Sequence, residues 1–229
     1  MNKALILLSG GLDSLVSLAF TKEEYNISFA LTFDYGQKAR KQEIASSVEI
    51  SRYYGIKHKV IAVPWLAEIT ETSLVSETEE IPELKISDLD ILELTQESAK
   101  KVWVPNRNGL FINIAAGFAD AYEFTHIIFG ANKEEAVTFS DNSQEFINRI
   151  NKSLEYSTLV KPEVVAPLIN YNKIEIVKLG MEKNIPFDLA RSCYNNTKKH
   201  CGRCESCLRF KRALIEAGYP KPLSSIFEC

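Results

Sequence analysis

Short apolar runs alternate with amphipathic stretches along most of the chain. Residues 3–8 (Lys-Ala-Leu-Ile-Leu-Leu) predict a first strand. From Asp13 to about Glu24, Leu15, Val16, Leu18 and Ala19 recur at helical spacing. Ile27 to Phe33 predicts a second strand, and a helix follows over roughly Lys38 to Tyr54 with Gly55 as its stop. His58 to Val63 predicts a third strand ended by Pro64; residues 126–130 and 164–168 predict a fourth and a fifth. The stretch after Asn108, from Leu110 through Phe118 and Ala119, is apolar almost all round, so the helix it predicts is buried against the sheet or in a subunit interface. Asn172 and Glu175 stand at capping-box spacing and open a helix over Lys173–Lys183. Strands separated by helices predict an α/β fold, a Rossmann-like parallel sheet with helices on both faces. Ligands then sit beyond the C-terminal strand ends.

The rhythm breaks over residues 64–104. Between Glu68 and Glu97, ten acids stand against Lys85 alone. Such a run predicts a solvated insertion, with a flap over the site as the second reading. The expected organisation is therefore an α/β domain over 1–185, carrying this insertion, and a C-terminal segment over 186–229 packed on it. With 229 residues, 45% of them apolar, the chain can bury a sizeable core. A net charge of −3 argues against a general nucleic-acid binder, so no direct nucleic-acid contact is expected. The apolar run at the start is too short for a secretory signal, and no stretch is long enough to span a bilayer, so a cytoplasmic location is expected.

Residues 9–14 read Ser-Gly-Gly-Leu-Asp-Ser directly after the first strand. A strand that runs through glycines into a helix offers bare backbone N–H groups and a helix N-terminus to an anion. Ser9 and Ser14 add hydroxyl donors, and Asp13 either caps the helix or helps to hold Mg²⁺. The segment lacks the lysine of a Walker A loop. It resembles the pyrophosphate loop of the ATP pyrophosphatase (PP-loop) superfamily. That resemblance implies an adenine nucleotide alpha-hydrolase-like fold, cleavage of ATP between its α- and β-phosphates, and an ATP site over Leu8, Ser9, Gly10, Gly11, Leu12, Asp13, Ser14 and Leu15.

Cys193, Cys201, Cys204 and Cys207 fall in a Cys-x7-Cys-x2-Cys-x2-Cys pattern. In a reducing compartment this spacing predicts a metal site rather than disulfides. Four thiolates suit tetrahedral Zn²⁺ in a closed, structural knuckle; an iron–sulfur cluster is the competing occupant. Seven basic residues between Arg191 and Arg212, against Glu205 alone, are expected to balance the thiolate charge. His200 is expected at the surface and Cys229 as a free thiol.

Three further segments belong at strand ends: Thr32-Phe33-Asp34-Tyr35-Gly36-Gln37, Val104-Pro105-Asn106-Arg107-Asn108 and Gly130-Ala131-Asn132-Lys133-Glu134-Glu135. With the N-terminal loop and the cysteine knuckle, they closely resemble the 7-cyano-7-deazaguanine synthase family over essentially the full chain. The resemblance implies a ligase that converts 7-carboxy-7-deazaguanine and ammonia to the nitrile at the expense of ATP, for a modified base of tRNA. It implies ATP, Mg²⁺ and one Zn²⁺ on the four cysteines, and a homodimer. It implies catalytic roles for Asp13, Ser14, Arg107 and Lys133, and substrate contacts from Asp34, Tyr35, Gln37, Arg107 and either Glu134 or Glu135. Lys133 as a surface lysine and Asp34 as a turn former remain the alternatives. The chain departs from the family pattern over Ala136–Ser143, where bacterial members carry Gly-Tyr-Pro-Asp-Cys-Arg after an Asp. A relative that stops at the amide, couples the acid to a protein amine, or thiolates tRNA is the competing expectation.

Overall fold

The computed structural model describes residues 2–228, so Cys229 lies outside the described residues. Five strands, β1 (Asn2–Leu7), β2 (Tyr25–Asp34), β3 (Lys57–Ala62), β4 (His126–Ile128) and β5 (Glu163–Val165), form one parallel sheet in the order β3-β2-β1-β4-β5. The chain first steps outward from β1 to β3, then crosses back to β4 on the other side of β1. The order therefore reverses between β1 and β4, and a crevice opens beyond their C-terminal ends.

Helices α1 (Leu12–Thr21) and α2 (Arg40–Tyr54) make the outward crossovers. The short α3 (Pro64–Glu68) and α4 (Leu92–Lys101) lie in the stretch that breaks the rhythm. Helices α5 (Arg107–Tyr122) and α6 (Gln144–Ser157) make the return crossovers, which right-handedness puts on the opposite face. Helices α7 (Lys173–Glu182) and α8 (Glu205–Glu216) complete the chain, α7 packing between α1 and α8. Leu5, Ile6, Ile127 and Ile128 have no exposed surface, because both faces of the central strands are covered. On β2, Phe33 stacks on Phe111 of α5 with ring centroids 4.0 Å apart, and Phe29 packs against Phe118 and Tyr122.

Two features differ from the sequence-based expectation. Helix α6 is absent from it, although Ser143 caps the helix by accepting the Phe146 N–H (3.2 Å) and Ile147, Ile150 and Leu154 line one face. Residues 64–104 are not simply a solvated insertion: Leu66, Leu74, Ile81 and Leu89 are buried. The Leu84 N–H donates to the Arg203 carbonyl (3.1 Å), and ion pairs join Glu83 to Arg203 (2.9 Å) and Asp90 to Arg212 (2.7 Å). The acidic stretch thus meets the basic C-terminal segment, and those arginines pair with carboxylates rather than serving the thiolates alone.

Gly130, at the end of β4, lets α1 come close. A Cβ there would stand 3.0 Å from the Ser14 nitrogen and 3.2 Å from its Cα, both backbone atoms that cannot swing aside. Gly130→Ala should therefore lower the unfolding free energy by about 1–3 kcal/mol in urea titration. Unchanged stability would contradict this close approach.

Candidate active site

A cavity of ≈ 210 Å³ occupies the crevice. Its walls come from the β1–α1 loop, the C-terminal end of β2, the start of α5, Gly130, and the strip Arg191–Tyr194. The loop is shaped by Gly10, whose φ of 80° is left-handed and whose Cβ would meet the Glu43 carbonyl at 2.7 Å. Gly11 is the N-cap of α1 and supplies no side-chain cap. The helix N-terminus is therefore left open to a ligand, apart from the Leu12 N–H, which donates to Ser192 Oγ (3.3 Å). The Ser9 and Ser14 hydroxyls lie 3.2 Å apart at the cavity wall. Of the eight loop residues expected around ATP, Leu8, Ser9, Gly11, Asp13 and Ser14 line the cavity, Gly10 shapes the turn, and Leu12 and Leu15 are core residues.

Asp13 does not cap its helix. Its Oδ2 accepts from Lys173 Nζ (2.5 Å), and the same ammonium donates to Glu135 Oε1 (2.8 Å). Burial pushes the Asp13 carboxyl up to about 6, against the opposing pull of Lys173. Burial also works against the Glu135 carboxylate, but Lys173 outweighs it and holds Glu135 below its usual range. Lys173 in turn loses hydration on burial, and the two carboxylates more than restore its charge, so its pKa rises. Asp13 Oδ1 and Arg191 Nε are buried without a partner. One wants a cation or a donor and the other wants an acceptor, as a metal-bound phosphate ligand supplies.

The other expected residues divide. Arg107, Tyr35 and Gln37 line the cavity. Arg107 stands beside Tyr35 and Asp141; burial opposes its charge, and these neighbours favour it. Gln37 is used internally, accepting the Tyr35 N–H (3.0 Å) and donating to the Phe33 carbonyl (3.0 Å) and Glu43 (2.8 Å). Asp34 accepts the Gly36 N–H (3.1 Å) and so forms the turn; it does not line the cavity. Glu134 accepts the Lys173 backbone N–H (2.8 Å) and pairs with Arg209 (3.0 Å), which leaves it little capacity for a substrate. Lys133 is exposed and away from the cavity, a correction to its expected catalytic placement: its side chain points out while the buried ammonium of the site belongs to Lys173. Glu43, Lys173, Arg191 and Tyr194 were not expected here. Lys173 carried one sequence signal, a cation in the first turn of a helix, where the dipole disfavours it.

The four cysteine residues are buried and their sulfurs lie within 4.8 Å of one another, a cluster that could close around one metal ion. The backbone N–H groups of Cys201 and Asn195 donate to Cys193 Sγ (3.4 Å each), and that of Cys204 donates to Cys201 Sγ (3.4 Å). These donors favour thiolates, and the donor set fits a soft tetrahedral metal. His200 is not at the surface; it is 4% exposed. Burial, reinforced by the charge of Arg191, pushes its pKa down to about 4, so the ring is neutral and its Nε2 accepts the Ser192 N–H (3.0 Å). The knuckle thereby positions Ser192 over the head of α1.

A cavity at the head of the first helix, at the reversal of a parallel sheet, defines a doubly wound α/β protein with a ligand crevice in the usual place. Within that class, the chain belongs to the family described as Queuosine biosynthesis protein QueC, which matches residues 3–218. It is 52% identical over 216 residues to the 7-cyano-7-deazaguanine synthase of Pelotomaculum thermopropionicum, covering 94% of this chain and 98% of that one. The synthase of Carboxydothermus hydrogenoformans is 52% identical over 93% of this chain and 98% of its own length, and that of Methanosarcina barkeri 46% over 96% and 97%. Among the described residues no helix is long and apolar enough to cross a membrane.

Removing the shared ammonium leaves two buried carboxylates side by side. Lys173→Met should destabilise the fold by about 3 kcal/mol or more in chemical denaturation, and adding Asp13→Asn should recover part of that loss. A single variant as stable as the parent would show that the ion pairs are not formed.

Proposed function

We propose that this chain is an ATP-dependent ligase that converts 7-carboxy-7-deazaguanine and ammonia to 7-cyano-7-deazaguanine. The observation that carries the reading is the 52% identity, over 94% of the chain, to a protein of that name. The cavity suits the chemistry. A carboxylate is a poor acylating agent because oxide does not leave. Attack of the substrate carboxylate on the α-phosphorus of ATP expels pyrophosphate and installs AMP as the leaving group. Ammonia then displaces AMP to give the amide. A second ATP activates the amide oxygen in the same way, and loss of AMP with a proton from nitrogen leaves the nitrile.

In this reading the loop Leu8–Leu15 cradles the β- and γ-phosphates, with Ser9, Ser14 and the open N–H groups of α1 as donors. Asp13, with its free Oδ1, is the candidate ligand for Mg²⁺, which when bound supplies charge to the departing pyrophosphate. Arg107 faces the substrate carboxylate and then the negative charge that develops on phosphorus. Cys193, Cys201, Cys204 and Cys207 hold Zn²⁺, which when bound staples the knuckle. Residues 1–185 act as the nucleotide-processing unit and 186–229 as the metal-stapled segment over it. The small soluble substrates suit an enzyme of the cytoplasm. A homodimer is supported by the side of α5 next to the sheet-edge strand β3, where Tyr122 is 55% exposed and Phe118 and Phe29 are partly buried.

Incubation with ATP, ammonium and 7-carboxy-7-deazaguanine should yield the nitrile by mass spectrometry, with AMP and pyrophosphate. Release of ADP and phosphate, or a product that stops at the amide, contradicts the scheme. Ser14→Ala should lower kcat about 100-fold or more, the scale of losing an oxyanion donor. Metal analysis should find zinc without inorganic sulfide, and stripping it should lower the thermal midpoint; iron with sulfide would replace the zinc reading. Light scattering should give a dimer mass that Tyr122→Glu reduces to a monomer.

A further inference from the structure

A second space of ≈ 40 Å³ adjoins the main cavity, and Arg107, Glu135, Asn142 and Tyr194 line both. Its own wall is made by Trp103, Phe139, Asp141, Val102, Val104 and Leu74. Trp103 and Phe139 lie nearly parallel, their ring planes 8° apart and centroids separated by 6.1 Å. Flat apolar surface of this kind suits the face of a planar heterocycle.

The carboxylates around the two spaces are not equivalent. Asp13 and Glu135 are held by Lys173, and Glu43 accepts from Gln37. The Asp141 carboxylate accepts from the adjoining Asn142 side chain at 3.2 Å and from its own backbone, and among the described residues it has no ion-pair partner within 4 Å. Burial raises the Asp141 pKa and the charge of Arg107 opposes that rise.

We infer that this annex is the base-recognition subsite, in which Asp141 accepts hydrogen bonds from the N–H and exocyclic amine of the substrate's 2-aminopyrimidinone edge while the stacked Trp103 and Phe139 form the apolar wall beside the ring. The inference rests on the activity proposed above and names the specificity determinant of that same site. The annex is too small for a whole bicyclic base, so the edge enters it and the five-membered ring stays in the main cavity. Its carboxyl then points past Arg107 toward the phosphate loop. Two adjacent N–H donors on one edge match two carboxylate oxygens, a pairing that hypoxanthine-like or adenine-like edges cannot complete.

The test compares binding of 7-carboxy-7-deazaguanine with its counterpart lacking the 2-amino group, by calorimetry on the full chain, with nitrile formation measured separately. The parent protein should prefer the amino-bearing acid by about 10- to 100-fold, the value of a charge-assisted hydrogen bond lost. Asp141→Asn should collapse that preference to near parity and leave ATP affinity unchanged. In a Trp65→Phe background, where Trp103 is the remaining tryptophan, the acid should change Trp103 fluorescence on binding. This readout does not depend on Asp141→Asn folding. A preference that survives Asp141→Asn, or a Trp103 signal indifferent to the acid, overturns the subsite. If the parent protein still makes the nitrile in that case, the proposed activity stands. If neither acid binds the parent protein, the subsite is overturned, and the nitrile assay reports whether the activity falls with it.

Discussion

One buried ammonium holds the crevice together. Lys173 comes from the first turn of α7, Asp13 from the first turn of α1, and Glu135 from the segment after β4. Three elements distant in sequence therefore meet at a single charge. Each carboxylate is costly to bury without it, and the ammonium is costly to bury without them. The ion pairs set the distance from α1 to α7, and with it the opening above the phosphate loop. Burial still leaves Asp13 with a raised pKa and, among the described residues, one oxygen without a hydrogen-bond partner.

The C-terminal segment constrains the same loop from the other side. The Arg191 N–H donates to the Gly10 carbonyl (2.7 Å), and Ser46 also donates there (2.9 Å). His200, next to Cys201 of the cysteine cluster, accepts from Ser192, whose hydroxyl meets α1. A distortion of the cysteine cluster would pass through those hydrogen bonds to the glycine turn. The cysteine cluster and the glycine turn before α1 are thus joined by a short chain of hydrogen bonds. The acidic stretch adds a third restraint, pairing with Arg203 and Arg212 on the outside of the knuckle.

Much of the crevice was legible because its chemistry is local. Ser9 to Ser14 is contiguous, and a strand entering glycines before a helix has few other uses. Cys201, Cys204 and Cys207 are spaced so that one turn brings their sulfurs together. The central strands were legible because continuous apolar runs mark burial on both faces, whereas the edge strand β3 has no buried residue. Helix α6 was missed, although its cap and apolar face follow ordinary rules. Glu134 and Asp34 were read as substrate contacts because they follow strands, but Arg209 and the Gly36 N–H already engage them. Lys133 was read as catalytic because it sits in a ligand-loop position, and Lys173 was read only as the start of a helix. Strand-end placement says that a residue is near the crevice, not which way its side chain turns.

The chain by itself determined the strands of the sheet, the glycine turn before α1 and the cluster of thiols, since each depends on spacing within a few residues, where covalent geometry limits the outcomes. Only the tertiary structure decided which charges are spent and which are free. Lys173 reaches Asp13 across 160 positions, and whether a carboxylate is paired, capped or left facing a cavity depends on how such distant segments pack. That choice is made by the desolvation each charge must offset when the layers close, a cost no local pattern records.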